Sequence, residues 1–188
     1  MKQKRAWYKL DNAGKLYPSI TSTRVSTVFR ISASLYNPVD PEILQKALNN
    51  IIGRFPYFKV NLKRGFFWYY FEYTEKYPQV QKETYYPCMF MLYKNKNSFP
   101  FRVLYFNNRI SVEFSHSITD GMGGIHFLKS LLIEYFRLLG IQPEFQEKIS
   151  KEEAEDAFKR YYVKNIPKPA KLKKAFHFPF KLNAKGEL

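Results

Sequence analysis

An α+β domain with antiparallel hairpins is the fold that this sequence predicts, and three observations carry that reading. Two pairs of strand-like runs are each joined by a short polar turn, a helix between residues 40 and 53 has complete start signals, and a long apolar helix runs from Ile125 to Leu139. Apolar residues two apart line one face of a strand, whereas spacings of three and four line one face of a helix. Both periods occur here, interleaved along one chain.

The first strand is expected within Thr21 to Leu35, where Val25, Thr27, Phe29, Ile31 and Ala33 alternate with other residues, before Tyr36-Asn37-Pro38 ends it. A helix follows, with Asp40 as N-cap, Pro41 at the first helical position and Val39 placed to staple against Leu44. Leu44, Ala47, Leu48, Ile51 and Ile52 form its apolar stripe, and Gly53 suits its C-terminal end. Tyr57 to Leu62 and Phe66 to Tyr73 read as a hairpin turning at Lys63-Arg64-Gly65, and a short strand is expected at Met89 to Tyr93. Phe101 to Phe106 and Arg109 to Phe114 form a second hairpin around Asn107-Asn108, because Asn tolerates the left-handed conformation of tight turns. On its outgoing strand Ile110, Val112 and Phe114 share a face, Ser111 and Glu113 share the other, and continued alternation turns His116 toward the apolar side. The long helix has Ile125, Leu128, Leu132, Tyr135 and Leu139 at helical spacing and stops at Gly140. Ser150 to Tyr161 is a further helix candidate, and residues 166–188 mix prolines, lysines and isolated aromatics without a period, as a basic linker or arm would.

At 188 residues, 19% of them aromatic, the chain can bury one real core, which excludes a disordered chain despite its charge. The formal charge of +15 suits polyanionic or phosphorylated partners, and equally a solvated basic surface. Cys88 is the only cysteine, so one chain builds neither a disulfide framework nor a cysteine zinc site. The N-terminus lacks the apolar stretch of a signal peptide and no run reaches the ~20 apolar residues of a membrane span, so the expected compartment is the cytoplasm.

Chemistry concentrates in His116-Ser117-Ile118-Thr119-Asp120-Gly121, between the last strand and the long helix. An imidazole with a pKa of ~6.5 can act as general base at neutral pH if its orientation is fixed. Asp120 could cap the helix, orient His116 or pair with an arginine, while Gly121, Gly123 and Gly124 allow a tight turn or close approach of a ligand. On spacing alone the string also fits a plain strand–turn–helix junction. Zinc ligation is not expected, because His116, Asp120 and His126 lack the short pairings of such sites. No Lys-Ser or Lys-Thr follows the glycines at the distance a phosphate loop requires.

Ser115-His116-Ser117-Ile118-Thr119-Asp120-Gly121 resembles the His-His-x-x-x-Asp-Gly motif of the CoA-dependent acyltransferase superfamily, which includes chloramphenicol acetyltransferase, alcohol acetyltransferases and condensation domains. The order of the surrounding elements is similar too: the capped helix, Arg54-Phe55-Pro56 and both hairpins precede the motif, and the apolar helix follows it. The resemblance spans roughly residues 20 to 165. It implies an α+β, chloramphenicol acetyltransferase-like two-layer sandwich, its sheet mixed and largely antiparallel with helices packed on one face, in a half-domain over 1–165. It implies His116 as general base, Asp120 and Gly121 as structural residues of the motif, and Arg24 or Arg30 as the partner of Asp120. The reaction implied is acyl transfer from acyl-CoA, or an acyl-carrier thioester, to an alcohol or amine, with no tightly bound cofactor.

Two departures stand out. Ser115 takes the place of the first histidine, and no Asp-Phe-Gly-Trp-Gly-like element is present. The chain is therefore expected to be the N-terminal half of a larger enzyme, or a half completed by a second half-domain or by another copy. Two other functions are compatible with the sequence. Arg54, Lys59, Lys63 and Arg64 interleave with Phe55, Tyr57, Phe58, Phe66, Phe67 and Trp68, as in a single-stranded nucleic-acid surface, although the same aromatics fit a hairpin core and that reading is preferred. The other is an inert interaction domain of the same fold.

Overall fold

The computed structural model describes residues 7–9, 12–22, 25–66, 69–91 and 98–141. Arg24, the helix expected over 150–161 and the arm expected over 166–188 lie outside the described residues. The strands are β1 (Trp7–Lys9), β2 (Val28–Ser34), β3 (Val60–Arg64), β4 (Tyr69–Tyr73), β5 (Val80–Lys82), β6 (Phe101–Phe106) and β7 (Arg109–Ser115); the helices are α1 (Asn12–Ile20), α2 (Pro41–Ile51) and α3 (Gly121–Leu138). A four-stranded sheet has the order β2-β7-β6-β5 and a three-stranded one the order β1-β4-β3. All pairings are antiparallel except β5 with β6. No helix among the described residues is long and apolar enough to cross a membrane.

The second hairpin forms over the residues that its alternation marks. Asn107 takes φ 48° in its turn, the left-handed conformation that Asn accepts at low cost. Ile110, Val112 and Phe114 are buried in one core with Leu44, Leu48 and Ile51 of α2 and Phe127 and Leu131 of α3, so both helices cover one face of the four-stranded sheet. The start of α2 is built as its sequence demands: Asp40 Oδ1 accepts the Glu42 and Ile43 N–H groups at 2.9 and 3.1 Å. Buried Tyr135 of α3 then accepts the Asp40 N–H at 2.9 Å, tying the two helices together. Gly140, at φ +79°, closes α3 as expected, with the Ile141 N–H reaching back to the Phe136 carbonyl.

Several boundaries differ from expectation. Thr21 does not begin a strand; its N–H bonds the Tyr17 carbonyl and closes α1, and β2 starts only at Val28. The first hairpin is shifted toward its C-terminal end, because Pro56 to Lys59 form a turn that sinks Phe58 into the core, and Lys63-Arg64 belong to β3. Met89 to Met91 form no strand. Cys88 sits at φ 58°, and the Met89 carbonyl accepts from Arg102, so this stretch lies as a cover over the sheet. β5 has a single apolar residue and no sequence signal. It is held from outside, where Gln45 of α2 accepts the Val80 N–H at 2.7 Å.

The second face of the sheet is polar and, around Glu113, largely buried. Arg30, Glu113 and Arg102 lie in register across β2, β7 and β6. The Glu113 carboxylate is fully buried, bonded to Arg30 at 2.8 Å and Arg102 at 2.5 Å, and accepts the Cys88 N–H at 2.8 Å. Glu83 joins this network through Arg30 at 2.8 Å and Arg109 at 3.1 Å. Beside it opens a pocket of about 200 Å³ whose lining includes Glu83, Tyr85, Tyr86, Arg102 and Glu113.

Burial alone would raise the Glu83 pKa, but hydrogen bonds from Arg30 and then Arg109 outweigh it and hold the carboxyl below its ordinary 4.5. Its folded pKa therefore lies below its unfolded one, so the unfolded chain binds more protons between the two values. The resulting stability is fully present above about pH 4.5 and is lost as pH falls toward the folded value. Urea unfolding from pH 7 down to pH 3 should show this acid loss, and Glu83→Gln should shallow the slope; an identical slope in the variant would contradict the assignment.

Candidate active site

The motif begins where β7 ends. Alternation along the strand leaves His116 on the side of Phe114, and its N–H donates to the Thr27 carbonyl at 2.9 Å, extending the β2–β7 ladder one residue past Ser115. The half-buried imidazole packs against two aromatic rings, Phe29 with centroids 4.4 Å apart and Tyr17 with centroids 5.1 Å apart. Among the described residues no side chain hydrogen-bonds to its ring nitrogens.

Ser115 and Ser117 are buried, and their hydroxyls bond each other at 2.8 Å across the turn. The Ile118 N–H returns to the Ser115 carbonyl, and the Ile118 side chain packs on both the main core and the smaller core of Val60, Leu62 and Phe71. The middle of the motif is thus an anchor between the two sheets. Asp120 then starts α3: its Oδ1 accepts the Gly123 N–H at 2.9 Å and its carbonyl accepts the Gly124 N–H at 3.0 Å. Of the three roles open to Asp120, capping is the one seen. Arg30 does not meet it, because its guanidinium is engaged by Glu83 and Glu113. Arg24, the other candidate partner, lies outside the described residues.

The glycines divide by function. A Cβ on Gly124 would lie 2.9 Å from Ile31 Cδ1 and within 3.2 Å of Phe29 and Phe114 ring carbons, so glycine lets α3 settle on the sheet directly over the aromatic ring that carries His116. Gly123 faces Thr119 and Asp120, where a Cβ would collide with the Thr119 hydroxyl. A Cβ on Gly121 would meet nothing within 4 Å, and the adjacent Met122 is 63% exposed. The corner is therefore packed behind His116 and open beside Gly121.

Sequence reasoning missed Tyr17. It lies 99 positions before His116, in a helix with Pro18 inside it, and no local period marks that contact. The basic–aromatic run after Arg54 is largely accounted for by packing. Phe55 and Phe58 stack near the core, Lys59 lies 4.2 Å over the Tyr77 ring, and Lys63 approaches Glu72 at 4.0 Å, while Phe66 is exposed. Phe67 and Trp68 lie outside the described residues.

The starter condensation domain of rhizomide synthetase RzmA superposes with a TM-score of 0.58 at 11% identity, covering 76% of this chain and 40% of that one. The chain has a condensation-domain-like fold. The tallysomycin biosynthesis protein TlmII matches with a TM-score of 0.51 at 8% identity, over 76% of this chain and 42% of that one. Polyketide synthase associated protein 5 from Mycobacterium tuberculosis matches with a TM-score of 0.50 at 13% identity, over 73% and 36%. This condensation-like chain spans about 40% of the length of these neighbours. No family model matches the sequence, and no curated protein does.

The two glycine environments give opposite expectations. Gly124→Val should destabilise the fold by about 1–3 kcal/mol through overpacking, whereas Gly121→Ala should leave the urea midpoint unchanged or slightly raised. A Gly124→Val protein as stable as the wild type would contradict the close approach of α3 to β2.

Proposed function

We propose that this chain is one lobe of an acyltransferase that moves an acyl group from a thioester, as acyl-CoA or carrier-bound, to an alcohol or an amine, with His116 as general base. The observation that carries the reading is the setting of the imidazole: a half-buried ring at the end of a central strand, packed on aromatics, with its nitrogens free of described partners and the open surface of Gly121 nearby. The condensation-like fold supports it, since the ring stands in the motif that resembles the superfamily's catalytic string.

In this mechanism the neutral imidazole takes the proton of the acceptor hydroxyl or amine as its oxygen or nitrogen attacks the thioester carbonyl. The tetrahedral intermediate collapses with cleavage of the C–S bond, and the imidazolium returns its proton to the departing thiolate. The products are an ester or amide and a free thiol, and His116 ends neutral. Asp120 serves the site indirectly, by capping α3 and holding the turn. Ser115, in the place of the motif's first histidine, contributes a buried hydroxyl that braces the turn through Ser117. A second lobe, from a longer chain, a partner or another copy, would close the open side; the span of about 40% of the neighbouring chains supports this.

Thiol release from acetyl-CoA in the presence of a panel of alcohols and amines tests the proposal, measured on the chain together with the lobe that completes it. His116→Ala should lower kcat/KM by about 10²–10⁴-fold, the usual contribution of a general base. Equal rates in the two proteins would end the assignment.

A further inference from the structure

A general base must present its nitrogen in one orientation, and an imidazole is usually held by a hydrogen bond from one ring nitrogen to a carboxylate or carbonyl. His116 has no such bond among the described residues, and the motif carboxylate, Asp120, caps α3 through the Gly123 N–H. Two aromatic rings contact the imidazole instead. Tyr17 stacks on it with an interplanar angle of 24°, and Phe29 lies at 36°. Phe29 is fixed by its strand and by the Phe114 ring at 5.6 Å. Tyr17 comes from α1, whose C-terminal end is tied to Thr27, the residue that precedes Val28.

That tie is a chain of hydrogen bonds. The Thr21 hydroxyl donates to the Tyr17 carbonyl at 2.7 Å and pairs with the Thr27 hydroxyl at 2.6 Å. A hydroxyl has one proton, so Thr27 is the donor in that pair. The Thr27 carbonyl in turn accepts the His116 N–H at 2.9 Å. One residue thus holds both the backbone of the candidate base and the end of the helix whose ring covers it. The buried Pro18, next to Tyr17, keeps this end of α1 against the protein.

We infer that Tyr17 is a positioning residue of the site: its ring, delivered by the Thr21–Thr27 clasp, fixes the orientation of the His116 imidazole in place of a hydrogen-bonded carboxylate. The inference rests on the general-base reading for its catalytic consequence and on geometry alone for the stack. The ring is what matters, so Tyr17→Phe should preserve the effect and Tyr17→Ala should abolish it. Tyr17→Leu keeps most of the bulk without the ring, which separates loss of stacking from loss of folding.

The experiment has two arms. In the first, proton NMR of the full chain follows the His116 ring protons, assigned against His116→Ala among the three histidines of the sequence. An upfield ring-current displacement is expected in the wild type and in Tyr17→Phe, and a downfield move in Tyr17→Leu and Tyr17→Ala. A His116 resonance that is the same in all four proteins overturns the stack. In the second arm, acyl transfer by the protein with its completing lobe should show kcat reduced on the order of 10–100-fold in Tyr17→Leu and Tyr17→Ala, the scale of a small misplacement of a reacting group, with KM little changed and Tyr17→Phe close to wild type. Loss of activity in His116→Ala with full activity in Tyr17→Leu overturns the positioning role alone. Full activity in His116→Ala removes the general-base reading and the positioning role together, while the first arm still reports whether the stack exists.

Discussion

The arrangement depends most on one buried carboxylate. Glu113 has no exposure to water, yet its two oxygens meet Arg30, Arg102 and the backbone of Cys88, so its charge is matched on three sides. A carboxylate taken out of water is costly unless paired and hydrogen-bonded, and removing one member of such a group costs about 3–5 kcal/mol by stranding the others. A polar row of this kind also sets register. Arg30, Glu113 and Arg102 are opposite one another on three adjacent strands, and a slip of one residue would drive Glu113 into the face occupied by Val112 and Phe114. The same register leaves His116 level with Thr27 at the end of the sheet, beside Phe29.

From that strand the candidate site is assembled by packing. Ile118 is shared by both cores, Gly124 lets α3 lie against Phe29 and Phe114, and Asp120 begins the helix at the point where the turn ends. Ser115, Ser117, Ile118 and Asp120 each have a structural duty that the described residues explain. A Cβ on Gly121 would point into open space, which under the proposed function suits a position where a substrate or a second lobe comes close. The corner therefore pairs a packed rear with an accessible front.

Much of this was legible in the sequence where the signal is local. The Asp40-Pro41 helix start, the Asn107 turn, the alternation from Ile110 to Phe114 and the Gly140 stop all act within a few residues, and each appears where its chemistry demands. The misses share a cause. α1 contains a proline, β5 has one apolar residue held by a glutamine of α2, and Tyr17 meets His116 across most of the chain, so each is decided by a distant partner. The Asp120–Arg30 pairing fails for the same reason. A free arginine on β2 would have been a fair partner, but Glu113 and Glu83 claim it on the other face of the sheet.

Under the proposed function, chemistry occurs at the end of β7, on the side of the sheet that the helices cover, and the polar face behind it is structural. A crystal structure of the protein with its completing lobe, soaked with a thioether analogue of acetyl-CoA that cannot transfer its acyl group, tests this most directly. The account predicts the analogue's acyl end within hydrogen-bonding distance of the His116 ring and close to Gly121. An analogue seated instead among Glu83, Tyr86 and Arg102, with the His116 ring out of reach, would contradict it.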